Sequence, residues 1–432
     1  MVRTDDRRAV RADVTSRRAR LAVAGLFLVN GYTFANIVPW MPVIKDRLDL
    51  SNTALGLAIA ASPAGALLLG MLAGPLIARV GSGRVAAAAG VLSGLLLPAA
   101  GLAPSWAAFA AVMFGLGTLD AWMDSAMNAH GLRVQRRYGR SIINGFHALW
   151  SIGAVAGGLT ASAASGLGVP ILAHLSAVGV LLVLASVATV FFLLPGPEHA
   201  ERPDEARAAG DADGADTPST ADPGSTGTPA RGGPLAALRR IGPAALTLLG
   251  LGVLLVFAGG MEDSASSWGA VYMSESLHAS AFAVGLPFVA CQTMMTIGRL
   301  LGDRLTDRFG ARAVGRAGAL LAGVSLAVAL AVAHPVAAVV GFGLLGLGVS
   351  TLFPAGLHAA GNLPGVRSGD GVTIAAWLAR VGFLALPPLI GAIADVAGLG
   401  LALGVIPVIA VGAVLLSGIL EPRRSARAAD AD

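Results

Sequence analysis

The chain has 432 residues, of which 55% are hydrophobic and only 13% carry a charge, and its formal net charge is +5. Soluble domains carry about 25% charged residues, so this composition excludes a water-soluble globular protein and predicts an integral membrane protein. The one cysteine, Cys291, excludes a disulfide framework or zinc ribbon, and the only lysine, Lys45, lacks the context of a phosphate-binding P-loop.

About 20 apolar residues cross the hydrocarbon layer as a helix, and twelve runs of that kind follow one another along the chain. We therefore predict an all-α membrane protein with twelve transmembrane helices in two six-helix bundles. The predicted spans are 21–44, 54–77, 85–103, 106–130, 143–166 and 169–194, and then 244–268, 279–302, 314–333, 335–360, 371–394 and 397–420.

A stretch rich in Pro, Gly, Thr and Asp separates the two sets of spans and lacks an apolar period. Such a composition cannot offset its ordering entropy, so we predict a disordered linker. The predicted division is a basic tail (1–20), an N-terminal bundle (21–195), the linker (196–241), a C-terminal bundle (242–420) and a second tail (421–432).

The arginines indicate the orientation of the chain. They cluster before the first span, in the loops after even-numbered spans (where we count Arg299) and after the last span, whereas the opposite loops hold only Lys45 and Arg47. By the positive-inside rule both termini are cytoplasmic. The predicted location is a bacterial cytoplasmic membrane.

Two loops share a pattern. GPLIARVGSGR contributes Gly74, Arg79, Gly81 and Arg84, and GDRLTDRFGAR contributes Asp307, Arg308, Gly310 and Arg312. Both resemble the G-x-x-x-D-R-x-G-R signature of the major facilitator superfamily, in which this loop acts in gating. The first copy has Ala78 where the family has Asp, and a short basic loop obeying the positive-inside rule is the alternative interpretation.

Longer stretches resemble one branch of that superfamily. DSAMNAHGLRVQRRYGR with FHALWSIGAVAGG, and the segment from Glu262 through WGAVY to GRLLGDRLTDRFG, are similar to the fucose-permease-like branch. The resemblance implies alternating access, a substrate site between the halves, and a sugar or similar polar metabolite as substrate. It also implies that spans one, four, seven and ten surround the cavity.

Ionisable side chains inside a membrane are costly and indicate function or a specific partner. Asp120 and Asp124 share one face of span four, with Asn128 one turn further. Two stacked carboxylates in a low dielectric favour holding a proton, so we predict proton coupling through Asp124 and Asp120. A structural bond to a neighbouring helix is the alternative.

Span seven holds the adjacent acids Glu262 and Asp263, which point in different directions. Glu262 matches the position that the resemblance marks, and we add it to the proton-coupling group. Arg380 in span eleven needs a partner, because an unpaired intramembrane guanidinium is implausible. We predict that it either pairs with Glu262 or Asp263 or binds an anionic substrate.

Further polar and aromatic residues are candidates for the substrate cavity, with packing as the alternative for each. In span one, Asn30 and Phe34 share one face, and Tyr32 and Asn36 share the other. The candidates are Asn30, Tyr32, Asn36, Trp122, Asn128, Asn144, His147, Trp150, Gln292 and Trp377.

The leading functional hypothesis is a secondary transporter, not an enzyme, that uses the proton gradient and no cofactor or metal. Its expected partners are a small-molecule substrate, protons and the lipid bilayer, with no nucleic acid, and we expect a monomer. Two alternatives stay open: an exporter of a natural product or drug by proton antiport, and a non-transporting membrane receptor or scaffold.

Overall fold

A computed structural model describes residues 3–138, 141–196, 244–364, 366 and 368–421. The predicted linker, apart from Gly196, and the second tail beyond Glu421 lie outside the described residues. The described ranges contain helices and turns but no strand. The prediction of an all-α chain is therefore confirmed.

The helices are numbered in chain order. In the first half they are α1 (Arg3–Ala35), α2 (Met41–Arg47), α3 (Asn52–Leu69), α4 (Ala73–Val80), α5 (Ser82–Leu102), α6 (Trp106–Tyr138), α7 (Ile143–Gly166) and α8 (Ile171–Val190). In the second half they are α9 (Ala244–Ser267), α10 (Gly269–Val271), α11 (Leu286–Phe309), α12 (Ala311–Val332), α13 (Pro335–Val349), α14 (Leu352–Gly361), α15 (Ser368–Ala397), α16 (Leu399–Ala402) and α17 (Val405–Leu416).

These helices supply 12 segments long and apolar enough to cross a membrane, as the sequence predicts. Four of the segments combine two helices, namely α1 with α2, α3 with α4, α13 with α14, and α16 with α17. Several helices run further than predicted, since helical hydrogen bonding continues beyond the apolar stretch. The eighth segment runs from Ala283 to Phe309, so Arg299, which we counted among the loop arginines, lies well inside a helix.

The two halves pack their helices in the same way. In the first half, α1 packs on α7, α3 on α6, and α5 on α8. The equivalent pairs in the second half are α9 with α15, α11 with α13, and α12 with α17. The halves meet through α3 with α15 and through α7 with α11, which are also equivalent pairs. This pattern is a pseudo-two-fold arrangement of two six-helix bundles.

Small residues bring these helices together. A Cβ at Gly31 in α1 would lie 2.1 Å from the carbonyl oxygen of Trp150 in α7, and a Cβ at Gly153 would lie 2.3 Å from that of Leu28. Between the halves, Gly56 lies against Pro387, where a Cβ would lie 2.5 Å from the carbonyl oxygen. Backbones approach this closely in membranes only where side chains are absent or small.

Candidate functional site

A cavity of about 580 Å³ lies between the two halves. Asp120 and Arg380 line it from opposite halves, and both side chains are exposed although each lies well inside a long helix. The cavity therefore extends to the middle of both helices. Further lining residues include Asn30, Phe34, Trp150, Glu262, Asp263, Ser266, Phe288, Gln292, Phe353 and Phe383.

One hydrogen-bonded chain joins three helices at the wall of this cavity. The indole Nε1 of Trp150 donates to Asn30 Oδ1 at 2.7 Å, and Asn30 Nδ2 donates to Asp120 Oδ1 at 2.9 Å. Asn30 is only 5% exposed, and both its amide oxygen and its amide nitrogen are hydrogen-bonded. These two hydrogen bonds connect α7, α1 and α6 and hold the carboxyl group of Asp120 at the cavity surface.

Asp124 lies one turn beyond Asp120 on α6, outside the cavity lining. Its carboxyl group accepts a hydrogen bond from Asn128 Nδ2 at 2.9 Å. It is also within electrostatic range of His147 in its own half and of Arg380 in the other half. The side chain is exposed, and it lies within electrostatic range of both halves.

The acids of α9 have different partners. Glu262 Oε1 lies 3.6 Å from Arg299 Nη2 of α11, and Asp263 Oδ2 accepts a hydrogen bond from Ser267 Oγ at 2.7 Å. The predicted pairing of Arg380 with Glu262 or Asp263 is therefore wrong. The reason is that Glu262 pairs with Arg299 of α11 instead. The acidic group within electrostatic range of Arg380 is Asp124 of the opposite half.

The structure shows which of the other candidates line the cavity and which do not. Asn30, Trp150 and Gln292 line the cavity, but Tyr32, Asn36 and Trp122 do not. Asn36 is fully buried and its Oδ1 lies 3.0 Å from His174 Nε2, while Tyr32 packs against the core. Trp122 donates to the carbonyl oxygen of Leu69 at 2.8 Å. The contacts of these three side chains fit the packing interpretation, because each side chain lies against a neighbouring part of the bundle and not in the cavity lining.

Four further candidates also lie outside the cavity lining: Asn128, Asn144, His147 and Trp377. His147 contacts the ring of Phe27 edge-on, with 5.1 Å between ring centroids. Asn144 and Trp377 are exposed. Of the four, Asn128 and His147 remain close to the site, because both interact with Asp124.

Two contacts join the halves at one end of the molecule, which we call the closed end. Lys45 Nζ lies 2.5 Å from Glu275 Oε1. Asp395, near the end of α15, accepts hydrogen bonds from the backbone N–H groups of Asn52 (2.7 Å) and Thr53 (2.9 Å) and from the Thr53 hydroxyl group (2.6 Å). Asp395 thus caps the first turn of α3 in the opposite half.

Sequence reasoning missed Asp395 and Glu275 because their partners lie in the other half of the chain. The only signal was an acidic residue at the end of a span. Among pairs of described residues, the hydrogen bonds and ion pairs between the halves all lie at the closed end.

The predicted gating loops lie at the other end. Gly81 and Gly310 occupy equivalent positions between consecutive helices, with φ of +95° and +82°. Such values favour glycine over residues with a Cβ. The loop with Arg308 and Arg312 contacts the end of its own half, where Glu421 Oε1 accepts from the Arg312 backbone N–H at 3.2 Å.

The Major Facilitator Superfamily profile matches residues 23–261 and 251–431. The chain belongs to the major facilitator superfamily. It is therefore a multi-pass membrane transporter and not an enzyme. The fucose-permease-like branch within the superfamily stays a prediction.

Similar sequences come from bacteria. The chain is 28% identical to an uncharacterised MFS-type transporter of Yersinia pestis over 378 residues, which cover 88% of this chain and 89% of that one. It is 27% identical to the membrane protein MosC of Rhizobium meliloti over 398 residues, which cover 91% and 88% of the two chains.

Solved structures share the fold at low identity. The nucleoside transporter NupG matches with a TM-score of 0.70 and 11% identity over 95% of this chain and 100% of that one. A bacterial homologue of the human lysosomal transporter Spinster, inward-facing and unoccupied, matches with a TM-score of 0.69 and 15% identity over 94% of this chain and 98% of that one. These likenesses concern the fold alone.

Proposed function

We propose that the chain is a proton-coupled secondary transporter that moves a small polar metabolite, such as a sugar, by alternating access. The observation that carries this proposal is the carboxylate-lined cavity between two similar bundles that are tied together at one end. Rocking of one bundle against the other would open the closed end and cover the cavity from the opposite side.

Asp124 is the proposed carrier of the coupling proton, assisted by Asp120 and Glu262. Asp120 and Asp124 are one helical turn apart, so a proton on one relieves the repulsion between them. Asp124 also lies within electrostatic range of His147 in its own half and of Arg380 in the other half. Closure around the cavity would change the distance from Asp124 to Arg380 and hence the affinity of Asp124 for a proton.

The energy source in this proposal is the proton gradient, with no cofactor, and the working unit is a monomer. The positive-inside rule places both termini in the cytoplasm, so the closed end faces outward and the cavity opens inward. The predicted linker between the halves is then cytoplasmic.

The cavity wall suits a molecule that has both hydroxyl groups and carbon faces. Asn30, Gln292 and Asp120 supply polar groups, and Trp150 supplies an indole ring beside them. Sugars bind to proteins through this combination of hydrogen bonds and aromatic faces.

Export of a natural product or drug by proton antiport is the second candidate. The four phenylalanines Phe34, Phe288, Phe353 and Phe383 line the same cavity, and aromatic surfaces of this kind accept apolar molecules. Sensitivity of a gene-deletion strain to toxic compounds, compared with its growth on sugars, separates export from uptake.

The test is transport by the Asp124→Asn protein in liposomes with an imposed pH gradient and radiolabelled sugars. We expect accumulation to be abolished, while exchange of substrate across the membrane continues, because only the proton-dependent step is removed. Asp46→Asn, an exposed carboxylate outside the cavity, is the control and should behave as wild type. Full pH-driven accumulation by Asp124→Asn would contradict the assignment.

A further inference from the structure

The amide oxygen of Gln292 is a buried hydrogen-bond acceptor. The Gln292 side chain is only 5% exposed and lines the cavity from α11, and its Oε1 accepts no hydrogen bond from the part of the chain that the structure describes. A buried acceptor left unpaired is costly. A ligand in the cavity that donates a hydroxyl or N–H group would remove this cost.

Arg380 is the one cationic side chain among the described residues that line the cavity. It makes no hydrogen bond or ion pair with another described residue, in contrast to Arg299, which pairs with Glu262. A guanidinium group binds a carboxylate or phosphate through two parallel hydrogen bonds. Arg380 therefore offers an anion site that opens to the cavity.

The carboxylates of the cavity wall already have partners. Asp120 accepts from Asn30, Asp263 accepts from Ser267, and Glu262 lies beside Arg299. Among the charged groups of the lining and its buried polar atoms, those that lack a hydrogen-bond partner in the described chain are thus the Arg380 guanidinium group and Gln292 Oε1. A ligand that matches them carries an anionic group and a hydrogen-bond donor.

We propose that Arg380 and Gln292 bind a hydroxylated organic acid, with the carboxylate on the Arg380 guanidinium and a hydroxyl group donating to Gln292 Oε1. This inference rests on the proposed transport function and narrows its substrate class. Phe353 and Phe383 line the same cavity and cover the carbon skeleton. The substrate carboxylate competes with Asp124 for the charge of Arg380, which frees Asp124 to take up a proton.

The test measures ligand affinity of the purified full-length protein in detergent by thermal shift. D-gluconate and D-glucuronate carry both groups, D-glucose and sorbitol carry only hydroxyls, and hexanoate carries only the carboxylate. We expect the two hydroxylated acids to bind wild type more tightly than the other three compounds.

The variants separate the two contacts. Arg380→Gln should lower the affinity for both hydroxylated acids about tenfold or more, because a charge-assisted pair is lost. Gln292→Met, which keeps the size of the side chain, should lower it about threefold to tenfold and leave hexanoate unchanged. If Arg380→Gln does not fold, Arg380→Lys decides, because it keeps the charge and still loses the bidentate geometry.

Three results would overturn the inference: no binding of either hydroxylated acid, tighter binding of D-glucose or sorbitol, or unchanged affinity in the Arg380 variants. Liposome uptake separates this inference from the proposed function. Acid binding through Arg380 without proton-driven accumulation contradicts the transport proposal and supports the site. Accumulation of neutral sugars without acid binding supports the transport proposal and contradicts the site.

Discussion

At the scale of single residues, Asn30 organises the cavity wall. Its side chain is nearly buried, and it accepts a hydrogen bond from Trp150 while donating one to Asp120. One amide therefore links α1, α7 and α6. An amide suits this position because it offers an acceptor and donors on opposite sides of one group. The orientation of Asp120 depends on it.

We predict that Asn30→Ala lowers the stability of the protein by about 1 kcal/mol, the scale of polar contacts between membrane helices, and impairs transport. The change leaves the Trp150 indole and the Asp120 carboxyl group without their partner. Thermal melting in detergent and liposome uptake measure the two effects. Asn128→Ala is the matched control for stability, because the hydrogen bonds of Asn128 with described residues all lie within α6. Equal melting of the two variants would refute the role of Asn30.

The charge pairs show that the sequence identifies ionisable residues within spans but not their partners. The sequence identifies Glu262, Asp263 and Arg380 as ionisable groups inside spans. The free-energy cost of such a group depends on its depth in the bilayer, and that depth follows from its position along a helix. The sequence does not identify Arg299 as the partner of Glu262, because pairing depends on how each helix is rotated and which helix lies beside it. The same limit hides the contact of Asp395 with α3.

At the scale of helices, glycine contacts set the distance between α1 and α7. Gly31 faces the carbonyl oxygen of Trp150, and Gly153 faces that of Leu28. These contacts hold the two helices that carry Asn30 and Trp150 at hydrogen-bonding distance. Helix packing and the geometry of the cavity wall are therefore linked.

We predict that Gly31→Ala separates α1 from α7 and strongly reduces the yield of folded protein, because the new Cβ would lie 2.1 Å from the Trp150 carbonyl oxygen. Gly145→Ala in α7 is the control, since a Cβ there meets nothing within 4 Å. Its effect should be neutral or slightly stabilising, as alanine favours helix over glycine. Size-exclusion profiles and melting temperatures measure both. Wild-type melting of Gly31→Ala would show that the helices adjust without cost.

At the scale of the whole molecule, hydropathy predicts twelve spans correctly because each span is a local property of about 20 residues. The paired loops around Gly81 and Gly310 also predict the duplication. Which end of the molecule is closed cannot be predicted in this way, since it depends on contacts between residues of the two halves that are far apart in the sequence. Asp395 and its partners Asn52 and Thr53 are the clearest example.

We predict that Asp395→Ala weakens the closed end and shifts the protein toward opening there, because α3 loses the acceptor that caps its first turn. A cysteine placed at Ser266 in the cavity lining, with buried Cys291 replaced by Ala, should then react faster with a membrane-impermeant thiol reagent added outside intact cells. Asp46→Ala, which removes an exposed carboxylate near the same end, is the control. An unchanged labelling rate would argue against a latch at Asp395.

The ion pair between Lys45 and Glu275 gives the molecule a native chemical reporter. Lys45 is the only lysine in the chain, and its ammonium group is largely covered where the two bundles meet. Apart from an N-terminal amine, an acylating reagent has one amine to modify, and that amine becomes accessible when the bundles part. The extent of acylation, read by mass spectrometry on the unaltered protein, would follow the conformational cycle.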